Sequence, residues 1–439
     1  MPRTRDRAAT RARPDACPGA WRRHEAADGA LARFRPVGGA TTAAELRLLA
    51  GAATLGGSPL ELTSRGSWQV RGLAGSTADD LADALRADRP DALLDALGRD
   101  IPCGLLTSPR STRLDAASAQ VADGLRGRTD VPGRLLVALE DRVPAGGDVT
   151  TVMTGDVSGQ GADITVVLTP GVGASGSSAA PEPGRRAPVT AALLLDGPDG
   201  AVVDTGLRHT DPAALAVAAV DAFTARRDTA WRVRELDDAT RAALVADVRD
   251  RTAADEPATD RTAALTPAPA DPTALGSRDD GTLEVLPRLG EVDATAAAAL
   301  VGLLTDGVTL RATPWRTLVL RGLTDPHAAA RALDGLVETD PVSRWRGLSA
   351  CVGAPRCAKS LADVRGDLAA AVASGHAGGT VRQHWVGCGR ACGTPGGRVA
   401  VIEALDPGEP RGDDGHACAV RDQQRGTYRT VVRSGRVTG

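Results

Sequence analysis

Apolar and polar positions alternate from Ala30 to Pro36 and again across Leu60–Leu73 (LELTSRGSWQVRGL), which predicts strands. Between them Thr42 is placed to cap a helix through Ala50, with Glu45 at the capping-box position. Leu81 and Leu85 share one face of a further helix over Thr77–Ala87. This pattern returns late in the chain. LRATPWRTLVLRGL, ending at Leu323, echoes ELTSRGSWQVRGL, ending at Leu73, and sets Arg321 where the first copy has Arg71. Each copy follows an alanine-rich helix, 42–53 and 294–304. Self-similarity at a separation of about 250 residues reads as a duplication rather than a short structural repeat.

Strand-like runs LLVAL and ITVVLT lie between the copies within Val131–Leu168, followed by an apolar strand Val189–Leu195 and an alanine-rich helix Pro212–Arg226. The Gly/Ser/Pro-rich stretch at 171–188 reads as a surface loop, and Thr252–Ser277 as a linker. Downstream of the second copy, Trp345–Leu405 carries a helix over Ser360–Ala373. The polar tail after Asp406 suggests a terminal hairpin at Thr427–Val437.

Composition narrows the class. With 439 residues, 42% hydrophobic, and a net charge of −3, the chain reads as a soluble globular protein of several domains. The near-neutral balance argues against nonspecific nucleic-acid binding. No apolar run reaches the length of a membrane span, and the N-terminus has no signal-like apolar region. Seven cysteines without an export signal point to the reducing cytoplasm. Lys359 is the one lysine among 52 basic residues, so arginine abundance alone says little. The few tryptophans, including Trp68, Trp315, Trp345 and Trp385, read first as core.

Four of the cysteines fall in one window: Cys351 and Cys357 as C-x5-C, then Cys388 and Cys392 as C-x3-C. Four thiolates complete a [4Fe–4S] cube. Zinc is the competitor, but its structural pairs are set at C-x2–4-C. Disulfides do not suit a chain of this size without a secretion signal. Glycines at 353, 387, 389 and 393 let backbone N–H groups approach the sulfurs. Cys17 reads as a structural thiol, and Cys103 and Cys418 as incidental.

The cysteine spacing, downstream of two copies of the Thr63-Ser64-Arg65-Gly66-Ser67-Trp68-Gln69-Val70-Arg71-Gly72 element, resembles the siroheme nitrite/sulfite reductase superfamily. Within it the chain is most similar to the precorrin-3B synthase family, through Asp15-Ala16-Cys17-Pro18-Gly19, Thr313-Pro314-Trp315-Arg316 and His384-Trp385-Val386-Gly387-Cys388. The likeness spans about Pro14 to Glu403 and is weakest in the middle. It implies an α+β fold: two ferredoxin-like half-domains joined pseudo-symmetrically, and two α/β lobes, one carrying the cluster. The corresponding plan is an arm at 1–14, half-domains at 15–90 and 281–340, lobes at 100–250 and 341–405, a linker at 251–280 and a tail at 406–439.

Two departures shape the functional expectation. Sulfite reductases hold their anion with a Pro-Arg-Lys-x-Lys element, whereas Val131-Pro132-Gly133-Arg134-Leu135-Leu136 keeps one cation. The Arg113-Leu-Asp-Ala-Ala stretch likewise lacks the segment that helps hold siroheme. Both favour a larger, carboxylated tetrapyrrole substrate over a small anion. The resemblance then implies an oxygen-dependent monooxygenase of aerobic cobalamin synthesis that hydroxylates precorrin-3A and closes a lactone. A siroheme-dependent nitrite or sulfite reductase is the alternative, and a non-catalytic cluster- or tetrapyrrole-binding protein a second one. Arg65, Gln69, Arg71, Arg134, Arg311, Arg316 and Arg321 are the candidate substrate contacts, because arginine pairs bidentately with carboxylates. His384, four residues before Cys388, reads first as a satisfied histidine near the cluster and second as the candidate ligand of an additional mononuclear non-heme iron. Lacking a Gly-rich dinucleotide fingerprint, the chain would draw electrons from a separate reductase or ferredoxin. Neither nucleic acid nor a membrane is an expected partner.

Overall fold

The computed structural model describes residues 17–19, 23–88, 101–143, 155–170, 189–198, 200–254, 272–378, 381–396, 398–405 and 428–434. The proposed arm, most of the linker and Cys418 lie outside them.

The first copy builds β1 (His24–Ala26), β2 (Gly29–Phe34), β3 (Ala40–Thr41), α1 (Ala43–Leu55), β4 (Leu60–Leu62), β5 (Trp68–Leu73) and α2 (Gly75–Asp88). Thr42 caps α1 with the reciprocal Glu45 box that the sequence predicted. Next come β6 (Gly104–Thr107), α3 (Asp115–Leu125), β7 (Leu136–Asp141), β8 (Ile164–Pro170), β9 (Val189–Asp196), β10 (Val202–His209), α4 (Pro212–Arg226) and α5 (Asp238–Thr252). The second copy repeats the first as β11 (Gly276–Ser277), β12 (Leu283–Val285), β13 (Glu291–Val292), α6 (Ala294–Leu303), β14 (Thr309–Ala312), β15 (Leu318–Arg321) and α7 (Pro326–Ala332). A last unit adds β16 (Leu348–Ala350), α8 (Val364–Ala373), β17 (Gln383–Val386), β18 (Arg398–Ala404) and β19 (Tyr428–Ser434).

The two copies interlock. Their sheets run β1-β2-β5-β4-β13 and β11-β12-β15-β14-β3, so each takes its last strand from the other copy. One continuous core holds Trp68, Leu46 and Leu49 of the first copy with Leu283, Leu300 and Leu318 of the second. The turn before the last strand of each copy is the same structure twice. Thr63 N donates to Ser67 O at 2.9 Å and Gly66 N to Thr63 O at 3.2 Å. In the second copy Thr313 N donates to Thr317 O at 3.0 Å and Arg316 N to Thr313 O at 3.1 Å.

The middle lobe is a five-stranded sheet, β10-β9-β8-β7-β6, with β6, β7 and β8 parallel. Its core gathers Leu139, Ile164 and Phe223 under α3, α4 and α5. Glu140, fully buried on β7, accepts N–H bonds from Asp156, Val157 and Ser158 at 3.0, 2.9 and 2.7 Å. Loss of solvation, and then the Glu140 charge, push the neighbouring Asp156 carboxyl up to about 7 from its ordinary 3.8. The unfolded chain releases that proton near pH 4 and the folded chain retains it to near pH 7. Stability therefore falls through this window as pH rises, by about 1 kcal/mol per pH unit. Urea titrations should show that slope flattening in Asp156→Asn.

In the last unit β16, β17 and β18 are parallel and β19 closes the edge antiparallel to β18. Tyr428–Ser434 is thus one strand of this sheet rather than half of a terminal hairpin. Its register against Arg398–Ala404 buries Tyr428 beside Trp385, ring centroids 5.0 Å apart.

Candidate active site

The cysteines sit where this last sheet can present them. Cys351 directly follows β16 and Cys388 lies two residues beyond β17, so both leave the carboxyl ends of adjacent parallel strands, where open α/β sheets place their sites. Cys351 N donates to Trp385 O at 2.9 Å, tying the two strand exits together. Gly387 N points at Cys351 Sγ from 3.4 Å. A Cβ on Gly387 would fall 1.7 Å from Ser360 Oγ, so only glycine brings that N–H so close. Cys392 is within electrostatic reach of Cys351, Cys357 and Cys388. Burial pushes the Cys351 thiol up; burial and then Cys388 do the same at Cys392.

Among the described residues no three or more His, Cys, Asp or Glu side chains converge as the ligands of one metal ion would. A cube spreads its thiolates over four irons, so its sulfurs form a wider tetrahedron than those around a single ion. An all-sulfur set of four, with a backbone N–H aimed at one of them, suits the cube. Four thiolates leave no open position on a single catalytic iron, and His384, the candidate ligand of such an iron, is engaged as a satisfied histidine instead. Its Nε2 lies 3.0 Å from Cys392 O and its Nδ1 2.8 Å from Ser349 Oγ. A carbonyl only accepts, so Nε2 carries the proton and Nδ1 accepts from Ser349. Burial, and then the nearby Arg316, pull its pKa down to about 3. His384 is a neutral brace under the cysteine loop, with no nitrogen free for iron.

Cys351, Cys357 and Cys392 form one wall of a cavity of about 740 Å³, a size typical of cofactor and ligand sites. The first copy also lines it with Arg65, Gln69 and Arg71, joined by Arg134 from the loop before β7 and Arg316 from the second copy. Each is held. Arg71 forms a fork with Asp28 through two 2.9 Å bonds. Gln69 donates to Glu61 at 2.8 Å and accepts from Arg33 at 3.0 Å. Arg134 stacks over Trp231 at 4.8 Å, and Arg65 donates to Arg134 O at 3.4 Å. Loss of solvation pulls Arg33, Arg65 and Arg316 down to about 10. Arg33 Nε and Arg316 Nη1 are buried without a hydrogen-bond partner. Under-solvated guanidinium groups with donors to spare ask for an anion.

Arg311 and Arg321 are not brought to this cavity. Both reach away from it to Asp115 at the start of α3, at 2.6 and 2.8 Å, and Arg311 also donates to Gly38 O at 2.8 Å. They brace the second copy against the middle lobe. Asp115 belongs to the Arg113-Leu-Asp-Ala-Ala stretch that departs from the siroheme pattern. The copies are therefore chemically unequal: Trp315 stands where the first copy has Arg65, and it bonds Glu284 at 2.9 Å. Sequence reasoning passed over Arg33, whose only signal was its place on a strand facing Gln69. Cys17, read as structural, also lines the cavity. Cys103 is fully buried in the middle-lobe core.

Half-domain docking uses a second charged group. Cross-strand pairing sets Glu61 on β4 opposite Glu291 on the exchanged β13. Arg356, inside the C-x5-C loop, bridges them at 3.2 and 2.7 Å. Arg365 on α8 bonds both as well and donates to Cys351 O at 3.1 Å. No helix among the described residues is long and apolar enough to cross a membrane.

Comparison with known proteins bears on the fold. No curated protein sequence matches the chain. A solved structure of the NirA protein of Mycobacterium tuberculosis is similar over 93% of this chain and 77% of that one, with a TM-score of 0.60 and 16% identity. Residues 23–88 match the family described as the nitrite/sulfite reductase ferredoxin-like half domain. The chain thus has an α+β fold of the NirA kind, and its first copy is a half domain of the nitrite/sulfite reductase type.

Proposed function

We propose that this chain is an iron–sulfur oxidoreductase of the precorrin-3B synthase type, acting on a polycarboxylated tetrapyrrole. The observation that carries the reading is the cavity, which three of the four cysteines line together with several arginines suited to carboxylates. A [4Fe–4S] cube bound by Cys351, Cys357, Cys388 and Cys392 would supply single electrons there. Arg65 and Arg134 would take acetate or propionate groups. In the reaction this implies, precorrin-3A gains one atom of dioxygen as a ring hydroxyl. The other atom leaves as water with two electrons and two protons, the electrons supplied by an external reductase or ferredoxin. An acetate side chain then closes a lactone within the molecule.

The reading as a siroheme-dependent nitrite or sulfite reductase draws on the likeness to NirA and shares the same cavity. Arg134 without a neighbouring lysine is a weak cradle for a small, strongly hydrated anion. Anaerobically purified protein decides between them. Conversion of precorrin-3A with oxygen, read as a mass gain of one oxygen atom, supports the first. A siroheme Soret band with nitrite or sulfite turnover supports the second, and tetrapyrrole binding without turnover would leave a carrier. Arg65→Ala should weaken tetrapyrrole binding about tenfold to a hundredfold, the worth of a charge-assisted pair, with iron content unchanged. An absorbance titration measures it.

A further inference from the structure

The turn at Thr313–Thr317 carries a residue that its geometry does not favour. Arg316 has φ 64°, and the equivalent residue of the first copy, with φ 61°, is Gly66. The hydrogen bonds of the two turns match, so the backbone is the same and only the side chain differs. A bulky residue in this left-handed region is strained, and such strain is kept where the side chain has a task.

Where the side chain goes suggests that task. Its stem packs on Gly290, and its Nη2 reaches 3.2 Å from Gly393 O, beside Cys392. Gly393 leaves room for it: a Cβ there would lie 3.0 Å from Nη2. The charge acts on Cys351 and on His384. His384, neutral and bonded through both nitrogens, contributes no charge of its own. Nη1 remains buried without a partner. Of the other cations of this corner, Arg356 and Arg365 are each paired with Glu61 and Glu291, while Lys359 and Arg390 line the cavity from exposed positions where solvent screens them.

We infer that Arg316 is a positioning charge, held in a strained turn so that a buried cation faces the cysteine-bound group and raises its reduction potential. A reduced cube carries one more negative charge than an oxidised one, and a nearby cation stabilises that form. This inference rests on the cube assigned to the four cysteines.

The test is a potential titration, followed by electron paramagnetic resonance, of anaerobically reconstituted wild-type protein, Arg316→Gln, Arg316→Lys and Arg316→Gly. At the potential that half-reduces the wild type, the reduced-to-oxidised ratio should fall about tenfold in Arg316→Gln, a 59 mV shift, and recover in Arg316→Lys. Arg316→Gly should show the same fall, and its metal-free form should unfold at a temperature no lower than the wild type, since glycine suits the turn. Equal potentials in wild type and Arg316→Gln at equal iron content overturn the inference alone. A glycine variant that melts lower or takes up no iron overturns it too, making Arg316 a packing residue. Wild-type protein that takes up no iron and sulfide overturns both this inference and the function on which it rests.

Discussion

Cys351→Ser protein, reconstituted without oxygen, should hold about a tenth or less of the wild-type iron and sulfide and lose the broad visible shoulder of a cube. Cys351 is the most constrained of the four sulfurs: its own N–H is fixed to Trp385 O, and Gly387 N points at its Sγ. A serine hydroxyl in that place is a hard, largely protonated ligand, ill matched to a cluster that selects thiolate. Because Cys351 emerges from a strand rather than a loose loop, the chain cannot easily offer a substitute. Folding should survive, since serine keeps the size of the thiol at the edge of the Leu368, Trp385 and Ile402 core against which Cys351 packs. Wild-type iron and sulfide retained in the serine variant would sink the assignment.

Arg365→Ala should produce the largest loss of stability, about 3 kcal/mol, read as a lower urea midpoint and faster alkylation of Cys351. Two carboxylates set opposite each other on paired strands repel. At Glu61 and Glu291 this pair is tolerated because Arg356 and Arg365 descend on it from the cysteine lobe. Removing one arginine leaves charge stranded at a largely buried seam, where broken ion pairs cost about 3–5 kcal/mol. Adding Glu291→Gln to Arg365→Ala should recover part of the loss, because the stranded charge goes with it. A double variant no more stable than the single would show that the arginine acts through packing alone.

Much of this arrangement was legible in the residues. Thr42 and Glu45 announced their helix, and the echo of ELTSRGSWQVRGL in LRATPWRTLVLRGL announced the duplication, because capping and alternation are local. The α+β architecture on ferredoxin-like half-domains came from the family resemblance those motifs carried rather than from the elements themselves. Arg311 and Arg321 misled, since an alternating strand shows which residues share a face but not what lies beyond it, and Asp115 is remote in sequence. His384 stayed open between a satisfied histidine and an iron ligand for a related reason: proximity to Cys388 is visible in the chain, whereas the Cys392 carbonyl that occupies its proton is not. Arg356 and Arg365 gained meaning only once strand exchange had set Glu61 against Glu291, and no spacing rule foresees that. The tail was read as a hairpin with itself because its partner, Arg398–Ala404, had already been spent on the cysteine segment.

The exchange of β3 and β13 bears on how such a protein could have begun. Each half, taken alone, ends in a sheet edge missing its final strand, and an open edge invites pairing with whatever strand is at hand. An ancestor with a single half would have met that need only by lending the strand to a twin, as a two-fold homodimer. Fusing the twins into one polypeptide then freed them to diverge, which is why one turn now keeps its glycine and its sister carries an arginine.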